Sequence, residues 1–87
     1  MRLLTTNRFE RDLKRSIKRG KDLDKLWKIV ELLLDNKPLE KRHRPHPLSG
    51  NYATAWGCHI EPDWLLIWKK EDDQLVLSRT GTHSDLF

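Results

Sequence analysis

Residues 37–51, KPLEKRHRPHPLSGN, carry three of the chain's four prolines together with Gly50. No helix can cross that run, because proline lacks the backbone donor a helix needs and pushes the residue before it out of the α region. The break separates two kinds of hydrophobic pattern. Upstream, apolar residues recur every three or four positions; downstream, they alternate or form short continuous runs. A chain of 87 residues divided in this way is constrained to an α+β fold, with helices first and a sheet after.

Upstream of the break, residues 2–5 form a candidate first strand with only Leu3 and Leu4 to hold it. Thr6 or Asn7 then offers an N-cap, and Phe9, Leu13 and Ile17 make a narrow apolar stripe on a helix otherwise covered in Arg and Lys. Gly20 supplies a stop that tolerates positive φ, and Asp22 caps a second helix. Leu23, Leu26, Trp27, Val30, Leu33 and Leu34 give that helix a broad apolar face, closed by Asn36 and Lys37-Pro38. The two helices are predicted to pack as an antiparallel hairpin. Downstream, strands are expected at 53–60, 65–68 and from 75, joined by turns at Glu61-Pro62-Asp63 and at 71–74. The predicted order is β-α-α-β-β-β, an antiparallel sheet packed against an N-terminal helical hairpin, in one domain over residues 1–87.

Charge follows the same division. Residues 1–47 hold 14 Lys/Arg and 7 Asp/Glu, whereas residues 48–87 hold 3 and 6. A basic half fits a polyanionic partner such as nucleic acid, and it equally fits a solvated lysine-rich helical face. A single cysteine, Cys58, excludes an internal disulfide and a multi-cysteine metal site. No apolar run is long enough for a signal peptide or a membrane span, so a cytoplasmic location is expected.

In a meander, the turn after the first strand and the end of the third lie at the same end of the sheet. His59, Asp63 and His83 are therefore expected to meet there, with the basic loop carrying His46 free to fold over them. A one-residue slip in register would turn His59 to the other face. Histidine, with an unperturbed pKa of about 6.5, both takes and gives protons near neutrality. RNA cleavage needs a base for the ribose 2′-OH, an acid for the leaving 5′-oxygen, and cations such as Arg79 for the phosphoryl oxygens. The nucleophile is already in the substrate, so the chemistry calls for no metal or other cofactor. Each residue also has a plainer reading. Asp63 is a good turn former, His43 a solvent-exposed loop residue, Glu61 a solvent-facing one, and Cys58 a small buried apolar one. Trp68 is expected in the core, and Trp64 fits either core or surface. Three histidines and an aspartate also suit zinc as donors, but their spacing matches no compact zinc motif. On the residues alone, both the acid–base site and the plain reading stay open.

HPLSG at 46–50, CHIEPDWLLIWK at 58–69 and RTGTHSDLF at 79–87 resemble the YafQ branch of the RelE/ParE superfamily of bacterial type II toxins. The resemblance spans nearly the whole chain and implies the RelE-like fold. It also implies a ribosome-dependent endoribonuclease that cleaves mRNA, contacts ribosomal RNA, and is held inactive by a cognate antitoxin. Carried over residue by residue, it places catalytic roles on His46, His59, Asp63 and His83. Trp64 and Phe87 fall at positions tied to activity or substrate stacking, and Arg79 at a phosphate-facing one. Acid–base work is assigned to His83 and Asp63, and handling of the scissile phosphate to His46 and His59, either of which could exchange roles with His83. Two other outcomes suit the same fold: a ParE-like inhibitor of DNA gyrase, and an RNA-binding module without catalysis.

Overall fold

The computed structural model describes all residues, 1–87. Its strands and helices are β1 (Arg2–Thr5), α1 (Asn7–Lys18), α2 (Leu23–Leu34), β2 (His46–Pro47), β3 (Trp56–Glu61), β4 (Trp64–Glu71), β5 (Gln74–Gly81) and α3 (His83–Leu86). They form one five-stranded sheet of order β1-β5-β4-β3-β2. The meander β3-β4-β5 is antiparallel, as expected. The sheet as a whole is mixed, because β1 pairs parallel with β5. Helices α1 and α2 carry the chain from β1 across one face of the sheet, α1 against β5 and α2 against β3, which leaves β1 running alongside the last strand.

Local chemistry explains the helix limits. Thr6 Oγ1 accepts the Phe9 N–H at 3.0 Å, and Asp22 accepts from the Asp24 N–H, so both N-termini are capped. Gly20, at φ 77°, ends α1 with the Lys21 N–H on the Ser16 carbonyl and the Gly20 N–H on that of Ile17. Asn36, at φ 54°, ends α2 in the same paired arrangement.

Helix α1 departs from its predicted stripe. Phe9, Asp12 and Ser16 are buried with Leu13 beside them, whereas Ile17 is 58% exposed. Successive i, i+4 steps drift by roughly 40° around a helix, so the third residue of the series has turned off the contact face. Phe9 joins Leu26, Ile29, Val30 and Leu33 of α2 over Cys58, Leu66, Trp68, Leu75 and Leu77 of the sheet. A second, smaller cluster of Ala55, Leu65, Ile67 and Leu86 lies on the opposite face.

The proline-rich run is more ordered than a loop. It holds two 3-10 turns, Lys41–His43 and Gly50–Tyr52, and the edge strand β2, which pairs with β3 at His46–Gly57 and Pro47–Trp56. Both outer strands are short. Past Thr5, β5 runs on toward Gly81 without a strand partner on that side, and past Gly57 so does β3. Side chains take over from strands at both places. Thr6 Oγ1 donates to the Ser78 carbonyl, and Asp12 Oδ2 accepts the Thr80 N–H at 3.1 Å. On the other edge, His43 Nδ1 lies 2.6 Å from the His59 carbonyl oxygen.

Candidate active site

The extended ends of β3 and β5 deliver the predicted residues to one place. His59 pairs with Leu65 on the face away from α1 and α2, while its neighbour Cys58 points into the core. Burial alone pushes the Cys58 thiol up to about 12, which removes it as a nucleophile. A β-bulge between His59 and Glu61 then sets Glu61 opposite Trp64. Glu61 is thereby turned from the solvent-facing position expected of it toward the helices, where Lys21 and Lys25 bind its two oxygens at 2.9 and 2.8 Å. Lys25 first, and then Lys21, hold the Glu61 carboxyl below its usual range. This double bridge fixes the turn that presents Pro62 and Asp63.

Asp63 and His83 form the closest pair. Asp63 Oδ1 accepts both the His83 backbone N–H, at 2.9 Å, and its ring Nδ1, at 2.6 Å. The backbone donor first, and then the ring, hold the Asp63 carboxyl below the ordinary carboxylate value. The His59 ring centroid lies 5.5 Å from that of His83 and 6.5 Å from that of His46.

The three rings share one hydrogen-bonding pattern. Nδ1 of His83 faces Asp63, Nδ1 of His59 faces the Pro62 carbonyl at 3.2 Å, and Nδ1 of His46 faces the Arg44 carbonyl at 2.7 Å. A carbonyl or carboxylate oxygen can only accept, so each Nδ1 carries the proton. Each Nε2 is thus left as the working nitrogen, a lone pair in the neutral ring and a donor in the charged one. His46, His59 and His83 line a cavity of about 130 Å³ with Leu48, Leu65 and Phe87. Phe87 is 67% exposed and stands edge-on to Tyr52 at 5.4 Å, a free aromatic face at the rim.

Two expected substrate contacts lie elsewhere. Trp64 is 1% exposed; its indole is in the core and its Nε1–H donates to Thr80 Oγ1 at 2.9 Å, so no face is open for stacking. Arg79 is also buried. Its Nε and Nη2 donate to Asp12 at 2.7 and 3.3 Å, and Nη1 reaches the Tyr52 hydroxyl at 3.4 Å. The guanidinium is committed to the carboxylate that completes the β5 edge, not turned outward to a phosphate. His43 is corrected in the same way: it is buried against β3, not exposed in the loop.

Sequence reasoning missed the residues that hold α3. Asp85 closes a capping box with Thr82 and receives both Arg19 nitrogens, at 2.6 and 3.1 Å, with Arg15 at 3.2 Å. Arg15 also reaches Asp12 at 3.0 Å, so one chain of charges runs from the β5 edge through α1 to the helix bearing His83. The Arg19 bond holds the Asp85 carboxyl far below its usual range. No local signal marked this network: the predicted stripe ran through Phe9, Leu13 and Ile17, and the burial of Asp12 beside Phe9 and Ser16 emerges only once α1 has packed on the sheet.

A larger trough of about 1110 Å³ lies between α2, the Lys41–His43 turn and the β3–β4 turn, and it reaches the site at His59 and Asp63. Lys28, Lys37, Arg42 and Arg44 are among the residues lining it.

A family model described as a bacterial toxin of type II toxin–antitoxin system, YafQ, matches residues 1–87. The mRNA interferase toxin YafQ of Escherichia coli (strain K12) is 41% identical over 83 residues, which cover 94% of this chain and 90% of that protein. The crystal structure of YafQ from E. coli strain BL21(DE3) superposes with a TM-score of 0.93 at 38% identity, over 100% of this chain and 99% of that one. The toxin of the E. coli DinJ-YafQ toxin–antitoxin complex superposes with a TM-score of 0.90 at 40% identity, covering 98% and 94%.

Proposed function

The chain belongs to the YafQ family of type II toxin–antitoxin toxins, and from that membership we propose that it is an mRNA interferase, an endoribonuclease held in check by a cognate antitoxin. The observation that carries the chemistry is the set of three imidazoles with every Nδ1 occupied by an oxygen and every Nε2 available. In this reading His83 takes the proton from the ribose 2′-OH, which attacks the adjacent phosphorus and displaces the 5′-oxygen. Asp63 is the positioning partner. It sets the tautomer and orientation of the His83 ring and lies beside the charge that develops on it. His59 and His46 face the phosphate from the other side, where their charged forms donate to its oxygens and supply the leaving-group proton. Phe87 offers its exposed ring to a base.

The basic trough supports a longer RNA contact and dependence on the ribosome, whose RNA presents a dense phosphate surface. No helix is long and apolar enough to cross a membrane. As an mRNA interferase, the whole chain acts as a single toxin domain in the cytoplasm, where its substrate is.

Primer extension on mRNA from cells expressing the chain tests this function. Discrete cuts within translated codons are expected, and His83→Ala should lower cleavage by about 10²–10⁴-fold while leaving the fold intact. DNA damage without such cuts would favour the gyrase reading, and ribosome binding without cuts the non-catalytic one. Either result overturns the nuclease.

A further inference from the structure

We propose that His43 is a positioning residue for cleavage, a brace that sets the spacing of His46 and His59. The inference rests on the nuclease reading above and extends it to a residue outside the cavity. His43 is 8% exposed, and its Nδ1 lies 2.6 Å from the His59 carbonyl. That oxygen can only accept, so the bond runs from the His43 Nδ1–H to the backbone of the strand that bears His59. It falls just where β2 has stopped pairing with β3 and immediately before the bulge that aims His59.

The same residue governs His46. The His43 N–H donates to the Glu40 carbonyl and the Arg44 N–H to that of Lys41, which closes the 3-10 turn. Arg44 then adopts φ 44°, in the left-handed region, and its carbonyl accepts the His46 Nδ1–H at 2.7 Å. A left-handed arginine persists only where its surroundings hold it. The anchoring of His43 on β3 is what holds this one. One buried imidazole thus ties the loop presenting His46 to the strand presenting His59, beyond the point where the His46–Gly57 pairing ends, and the two ties together set the 6.5 Å between the rings. Displacements of about 1 Å in a reacting constellation can cost about 10²-fold in rate.

The test compares His43→Leu, His43→Asn and His43→Gln in the purified toxin. Asn places an amide N–H close to the position of Nδ1, whereas Gln places it near that of Nε2. Cleavage of ribosome-bound mRNA by the Leu variant should fall about 10- to 100-fold in kcat with KM within about threefold. Asn should restore most of that rate and Gln little of it. In free toxin, the imidazole nitrogen NMR signals of His46 and His59 should move in the Leu variant and return in the Asn variant. A Leu variant with wild-type kcat overturns the proposal, as do Asn and Gln variants of equal rate. Should the unaltered toxin fail to cut RNA, the nuclease reading falls and the ring spectra decide the brace separately: movement in the Leu variant supports it, and unchanged spectra overturn it.

Discussion

His83 and Asp63 are both more than half exposed, yet their geometry is fixed by two hydrogen bonds to a single carboxylate oxygen. Because those bonds favour the charged carboxylate, its folded pKa lies below the unfolded value of about 3.9. Stabilisation from the pair is fully present above that unfolded value and is lost as pH falls through the folded one. A carboxyl-carbon NMR titration should therefore give Asp63 a midpoint below about 3.9, moving back toward it in His83→Ala. An unmoved midpoint in that variant would show that the backbone N–H alone holds the carboxylate and that the imidazole does not pair with it in solution. Asp63 and His83 could be anticipated from the sequence, since a proline turn and a strand end meet in any three-stranded meander. Trp64 could not, since its burial depends on the bulge at Ile60 and on the Thr80 hydroxyl across the sheet.

Strands β3 and β5 outrun their edge partners, and the groups that replace those partners are the elements' weak points. Asp12 answers Arg79, Arg15 and the Thr80 N–H together. Asp12→Ala leaves a buried guanidinium without its counter-charge, held only by the long bond to Tyr52, and a backbone donor without a partner, a loss of about 3–5 kcal/mol. Thermal unfolding should show it as a fall of well over 10 °C, at roughly 4–8 °C per kcal/mol for a chain of this size. A drop of only a degree or two would mean that water satisfies that edge. Helix α3 has its own dependence on close approach. A Cβ at Gly81 would meet Asp85 Oδ2 at 2.8 Å and its Cβ at 2.9 Å. Gly81→Ala should accordingly unseat the Thr82–Asp85 capping box and the ion pair with Arg19. Hydrogen exchange at the amides of Asp85, Leu86 and Phe87 should quicken, and cleavage should fall with it. Unchanged protection there would show that α3 does not depend on the room Gly81 leaves. The helices were legible because caps, stops and periodicity are local signals. The parallel pairing of β1 was not, since two leucines in four residues say nothing about which strand they will join.

The molecule as a whole carries a net charge of +4, with the excess concentrated in the helical half and its connecting loop. Lys14, Lys18 and Lys28 are exposed and outside the ion pairs that hold the fold, whereas Lys21 and Lys25 are tied to Glu61. Changing the first three to Glu should weaken ribosome binding and flatten its dependence on salt by about 0.7–0.9 in log–log slope for each phosphate no longer neutralised. The melting temperature should move little, because surface charges contribute at most about 1 kcal/mol each. Equal binding at physiological salt would take the helices off the functional surface.

Much of this protein could be written down from its residue order: two capped helices, a proline-rich break, a meander, and four candidate site residues at one end of it. Those features rest on short-range physics, on periodicity, capping and the alternation of a strand. The mixed sheet, the burial of Trp64 and Arg79, and the bracing positions of Asp12 and His43 rest on something else. Asp12 and His43 answer backbone groups left open at sheet edges, Arg79 answers the carboxylate placed there, and Trp64 a bulge and a hydroxyl across the sheet, all of which exist only once strands have paired. Asp12 meets Arg79 across 67 positions and His43 meets the His59 carbonyl across 16, separations at which local sequence carries no record of the partner.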